Sequence, residues 1–135
     1  MPKVSVGVEI KSVKVFDAKF EPGGMKAAKV GVDKAFKTAS YHALGTAKEG
    51  GHILCLKVNV EIDKPGRAVK GSCKWEISVI ETGQRKAYFE LKQVKPATAT
   101  VPDVDPNKVT QLDIDEAVAG AVEAEVTGIL KKLPH

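Results

Sequence analysis

Two alternating runs joined by a proline–glycine turn set the tightest limit on what this chain can fold into. From residue 52 to 62, Leu54, Leu56, Val58, Val60 and Ile62 fall on one parity, and Cys55, Lys57, Asn59 and Glu61 on the other. A period of two marks a half-buried strand. Lys64-Pro65-Gly66-Arg67 then turns the chain. Val69, Gly71, Cys73, Trp75, Ile77 and Val79 form a second alternating set against Lys70, Ser72, Lys74, Glu76 and Ser78. Pairing Val60 with Gly71, Val58 with Cys73, Leu56 with Trp75 and Leu54 with Ile77 keeps every apolar side chain on one side. A slip of one residue would turn all of them outward. This register predicts a hairpin closed around Pro65-Gly66, with Cys73 in the core layer and Cys55 on the opposite face. Thiols so placed do not meet disulfide geometry, so two unlinked cysteines are expected.

The remaining elements follow from the same patterning. Val4, Val6, Val8 and Ile10 alternate, and Val13 and Val15 continue on the other parity. That phase slip predicts a β-bulge near Lys11-Ser12. Glu21-Pro22-Gly23-Gly24 reads as a turn. From Met25 to about Tyr41, Met25, Ala28, Val32, Ala35, Phe36 and Ala39 recur at helical steps, with Gly31 a weak point. Residues 45–51 read as a loop. Thr82-Gly83-Gln84 predicts a turn into a third meander strand carrying Ala87, Phe89 and Leu91. Residues 95–111 contain Pro96, Pro102 and Pro106 and read as an extended connector. A closing helix follows, capped by Asp113 or Asp115, with Ile114, Val118, Val122, Val126, Ile129 and Leu133 as its core stripe. Its acidic start and Lys131-Lys132 end both suit the helix dipole.

The expected order is β-α-β-β-β-α over residues 1–135. It gives one α+β domain with an antiparallel sheet of about four strands and both helices on one face. A chain of 135 residues with 43% hydrophobic and 28% charged residues can bury such a core. No apolar run approaches the roughly 20 residues of a membrane span. The start, Met1-Pro2-Lys3-Val4-Ser5-Val6, lacks the features of a secretory leader. The sequence as it stands therefore reads as cytoplasmic, or as periplasmic or outer-membrane-associated if a leader has been trimmed.

Reactive constellations are not recognisable. His52-x-x-Cys55 would put the two side chains on opposite faces of a strand, so they cannot share an ion. Asp103-x-Asp105-x-Asn107 opens like a calcium loop, but Lys108 stands where the glycine is required and Ile114 where the bidentate glutamate belongs. No nucleophile elbow, phosphate-cradling glycine loop or dinucleotide fingerprint is present. We therefore expect no catalytic residues, no cofactor and no metal.

Two features point to contacts with other molecules. In the closing helix Gly120, Ala124 and Gly128 are spaced by four and joined by Ala117, which gives a stripe of small residues away from the core stripe. Such a stripe admits a second helix backbone, from a protein partner, a second copy, or the first helix of the same chain. In the first helix Lys26, Lys29, Lys34 and Lys37 could meet polyanions or an anionic surface. Residues 1–99 hold 18 basic and 10 acidic residues, against 3 and 7 in the remainder. Nucleic acid is nonetheless disfavoured: 19 of the 21 basic residues are Lys, and the bidentate fork of Arg is scarce. The leading expectation is a non-enzymatic protein-interaction or assembly domain, homo-oligomers included. The alternatives are a polyanion binder using the lysine face and a small-ligand carrier with a pocket between helices and sheet.

The order of elements resembles the small α+β domain of bacterial envelope lipoproteins, such as the curli-secretion pore subunit and the outer-membrane activators of penicillin-binding proteins. The pieces that carry the likeness are Val4 to Ile10, the helix around Val32 to Ala39, the stretch Trp75-Glu76-Ile77-Ser78-Val79-Ile80-Glu81-Thr82-Gly83, and the helix from Ile114. A lipidated N-terminal Cys is not in the sequence. The resemblance implies a non-catalytic domain that contacts other proteins or assembles with itself.

Overall fold

The alternating runs pair as their patterning requires. In the computed structural model, which describes residues 4–45, 52–79 and 97–132, β3 (His52–Asp63) and β4 (Ala68–Val79) form an antiparallel hairpin. Its register matches Val60 with Gly71, Val58 with Cys73, Leu56 with Trp75 and Leu54 with Ile77. Asp63 Oδ1 accepts the Gly66 N–H at 3.0 Å and tightens the turn. Leu54, Leu56, Val58, Val69 and Cys73 are fully buried, while Lys57 and Asn59 are exposed. Neither Cys55 nor Cys73 is in a disulfide.

The sheet is mixed and has five strands, ordered β2-β1-β3-β4-β5, which corrects the expected antiparallel sheet of about four. β1 (Val4–Val15) runs parallel to both β2 (His42–Gly45) and β3, with its bulge between Ile10 and Ser12. The reason lies in the connection. A helix between β1 and β2 carries the chain back to the end where β1 began, so the next strand must run the same way. β2 corrects the expectation that the first helix runs to about Tyr41 and gives way directly to a loop. β5 (Ala97–Val101) lies inside the stretch expected to be an unpaired connector, and pairs with β4 from Val69↔Val101 to Cys73↔Ala97. The expected third meander strand around Ala87–Leu91, the Thr82-Gly83 turn, residues 46–51 and Leu133 lie outside the described residues.

The first helix, α1 (Glu21–Thr38), begins four residues before Met25, so Glu21-Pro22-Gly23-Gly24 is its first turn and not a separate one. Proline there gives up an N–H that has no helical partner in any case. Glu21 accepts the Val15 N–H at 3.2 Å, tying the helix start to the end of β1. Gly24 is buried where a Cβ would come within 3.0 Å of Val13. The second helix, α2 (Gln111–Lys132), is capped by Thr110 and not by Asp113 or Asp115. Thr110 Oγ1 accepts the Asp113 N–H at 3.3 Å, and Asp113 Oδ2 accepts the Thr110 N–H at 3.0 Å, a reciprocal capping box.

Both helices pack on one face of the sheet. α1 lies over β1 and β2, α2 over β3, β4 and β5, and the two helices pack against each other. Ile114, Val118, Val122, Val126 and Ile129 of α2 are buried against Leu54, Leu56 and Val58 in one core. Fully burying such side chains contributes about 1.5–3 kcal/mol each.

Candidate functional site

One residue of the small stripe, Gly120, and two of the four lysines, Lys26 and Lys34, come together where the helices meet. Gly31 of α1 allows a close approach: a Cβ there would stand 2.7 Å from the Ala119 carbonyl oxygen. On the sheet side, Gly71 does the same under α2, 2.6 Å from the Ala117 carbonyl oxygen. With α2 held close on both sides, its outward surface and that of α1 border a shallow groove of about 510 Å³. Gln111 ties the starts of the two helices together. Its Nε2 donates to the Phe20 carbonyl at 3.2 Å and to Asp115 Oδ1 at 2.8 Å.

The groove has apolar residues on both helices, basic side chains on one and acidic side chains on the other. Val30 and Leu112 line it and are 48% and 66% exposed, among the four most exposed large hydrophobic residues described. Ala27, Ala119 and Gly120 lie between them. Lys26 and Lys34 stand on the α1 bank, and Asp115, Glu116 and Glu123 on the α2 bank. The groove opens to solvent and is not an enclosed cavity between helices and sheet.

The sequence-derived candidates divide accordingly. Ala117 is fully covered by the chain's own sheet and is not open to a partner. Gly120 borders the groove, and a Cβ on it would stand 3.0 Å from the Ala99 Cβ of β5. Ala124 is exposed, and a Cβ on Gly128 would meet nothing within 4 Å. Lys26, Lys29, Lys34 and Lys37 all lie along α1 with at least part of their side chains in solvent, and exposed Asp33 stands among them. Lys26 and Lys34 bank the groove; Lys29 and Lys37 do not line it. Sequence reasoning did not find Leu112, Val30 or the acidic bank as site residues. The signal available for Leu112 was an apolar residue outside the core stripe of its helix.

Buried polar groups lie elsewhere and serve the fold. Glu125 is 7% exposed, and one of its carboxylate oxygens accepts the Ala97 N–H at 2.7 Å. Burial pushes its pKa above the ordinary range, against lowering by the Ala97 N–H, Lys132 and Trp75. Burial, with Glu125 nearby, pushes the Cys73 thiol up to about 12. The Asp105 side chain accepts the Asn107 N–H at 2.9 Å, which makes a local turn of the stretch that opens like a calcium loop. Among the described residues no group of three His, Cys, Asp or Glu could hold a metal ion. No helix among them is long and apolar enough to cross a membrane.

No family model matches this chain, and no curated protein matches it significantly. Solved structures similar to it include the PelC dodecamer from Paraburkholderia phytofirmans, at 10% identity over 93% of this chain and 87% of that one, with a TM-score of 0.48. Another is a Caulobacter crescentus CB15 protein provisionally termed a lipoprotein, at 19% identity over 93% of each chain, with a TM-score of 0.42. Neither likeness extends to activity, location or assembly.

Proposed function

We propose that this chain is a non-catalytic assembly domain that pairs with a second copy of itself through the α1/α2 groove. One observation carries the reading: exposed Val30 stands among Lys26 and Lys34 on one helix, and exposed Leu112 among Asp115, Glu116 and Glu123 on the other, along the same groove. A two-fold axis along the groove sets each copy's Lys26 and Lys34 against the other's Asp115, Glu116 and Glu123, while the apolar residues face each other. Such an isologous contact is self-complementary and closes at two copies. Charge arranged in this way directs register and encounter more than raw affinity. Gly120, Ala124 and Gly128 extend the surface along α2. The resemblance to envelope lipoprotein domains supports the same class of role.

A charge swap tests this. Lys26→Glu/Lys34→Glu makes both banks acidic, and Glu116→Lys/Glu123→Lys makes both basic. Sedimentation equilibrium should give a dimer for the native chain, monomers for each variant alone, and a restored dimer when the two are mixed. Gly128→Leu, which adds bulk in open space, should weaken the dimer without loss of helix by circular dichroism. A monomeric native chain, and no change of mass on mixing the variants, would overturn the proposal.

A further inference from the structure

The sheet face opposite α1 and α2 holds a second cleft, of about 250 Å³. Its walls include Ser12 and Lys14 of β1, Cys55, Lys57 and Asn59 of β3, and Lys74 of β4. The strand register explains the clustering. Lys57 stands directly across from Lys74 on one side and from Ser12 on the other, and Lys14 stands across from Asn59 in the next row. Three ammonium groups are thus gathered on neighbouring strands, with a hydroxyl and a carboxamide between them.

This arrangement works against the stability of the empty sheet. Like charges directly opposite each other on paired strands repel, where an opposite pair or a neutral pair would not. Among the described residues no carboxylate lines the cleft. The ion pairs among those residues are Lys11 with Glu9, Lys19 with Asp17 and Lys70 with Asp63, and none involves Lys14, Lys57 or Lys74. In the adjoining row Glu9 and Glu76 stand on either side of Cys55, and Glu9 is held by Lys11 at 3.1 Å. A bound anion would relieve the repulsion across the Lys57–Lys74 pair.

We infer that this cleft binds a compact, multiply charged phosphate-type anion. Lysine binds phosphate as a point charge, and charge-assisted hydrogen bonds are about twice as strong as neutral ones. Ser12 Oγ and the Asn59 amide add donors that read oxygen without adding charge. Lys57 and Lys74 face each other directly and Lys14 stands two residues further along on the next strand, so the Lys57–Lys74 pair is the centre of the site. The cleft lies on the face of the sheet away from the helical groove, so it stands independently of self-association.

Inorganic pyrophosphate in solution and phosphatidic acid vesicles are the two probes, because a free phosphate and a phosphomonoester lipid headgroup share this chemistry. Calorimetric titration of the native chain at low salt should show saturable binding to one of them, which then identifies the source. Lys57→Gln/Lys74→Gln should weaken it about tenfold or more. Without any probe the same variant should melt no lower than the native chain, since it relieves a repulsion; this separates lost binding from lost fold. Lys29→Gln/Lys37→Gln, on α1 positions outside both clefts, should bind as the native chain does. No saturable binding to either probe would overturn the assignment. So would a loss in the α1 variant equal to that in the cleft variant.

Discussion

The imidazole Nε2 of His42 lies 3.1 Å from the backbone carbonyl oxygen of Leu130, 88 residues further along the chain. Leu130 is among the last four residues of α2, whose carbonyls have no partner within the helix. A carbonyl only accepts, so the ring carries its proton on Nε2 for this bond. The contact fastens the short edge strand β2 to the end of α2, and both residues are buried. His42→Phe keeps a ring but strands the carbonyl, and should lose about 1–3 kcal/mol in urea unfolding. His42→Gln, which keeps a donor, should lose less.

Three glycines should respond to alanine in opposite directions. At Gly71 and Gly31 the added carbon meets the backbone of α2 at 2.6 and 2.7 Å, so the helix must shift. Overpacking of this kind costs about 1–3 kcal/mol, offset at Gly31 by alanine's better helix propensity. At Gly128 nothing lies within 4 Å, and alanine should stabilise α2 by up to about 1 kcal/mol. Thermal melts should rank Gly128→Ala above the native chain and Gly71→Ala below it.

Glu125 should make stability fall as pH rises through the carboxylate range. Its pKa in the folded chain is raised, chiefly by burial. Between the ordinary glutamate value and the raised one, the folded state therefore holds more proton than the unfolded state, and stability declines with increasing pH. Glu125→Gln keeps an acceptor for the Ala97 N–H and removes the buried charge. Urea midpoints of the two proteins should lie close together near pH 4, with the variant the more stable at pH 7.

The Cys73 thiol should resist modification in the native state. It is fully buried, and with its pKa pushed up to about 12 the thiolate fraction at pH 8 is about one in ten thousand. A thiol reagent at pH 8 should label Cys73 only as fast as the protein unfolds, and immediately in denaturant. Mass spectrometry of the labelled peptides gives the rate.

The hairpin register was legible because β3 and β4 both alternate over long runs and only one pairing buries every apolar residue. The bulge at Ile10/Ser12 showed as a parity change. β2 was not legible: four residues, His42-Ala43-Leu44-Gly45, carry too little pattern, and they enter the sheet through pairing with β1. The start of α1 was misplaced because Pro-Gly-Gly favours turns in isolation, whereas here Gly24 is needed for contact with Val13. β5 did alternate, Ala97-Thr98-Ala99-Thr100-Val101, but the nearby prolines outweighed that signal. Of the candidate surface, the lysines and Gly120 could be named in advance. The groove could not, because its two banks come from helices about ninety residues apart in sequence and are brought together by packing alone.

β1 lies inside the sheet, flanked by β2 on one side and β3 on the other, with both ladders parallel to it. A mechanical load drawn along it would therefore have to shear the β2 row over Val4–Gly7 and then the β3 row over Gly7–Val15. The amino-terminal strand is thus a firm anchorage, from which the molecule could be tethered under tension while its helical face stays free.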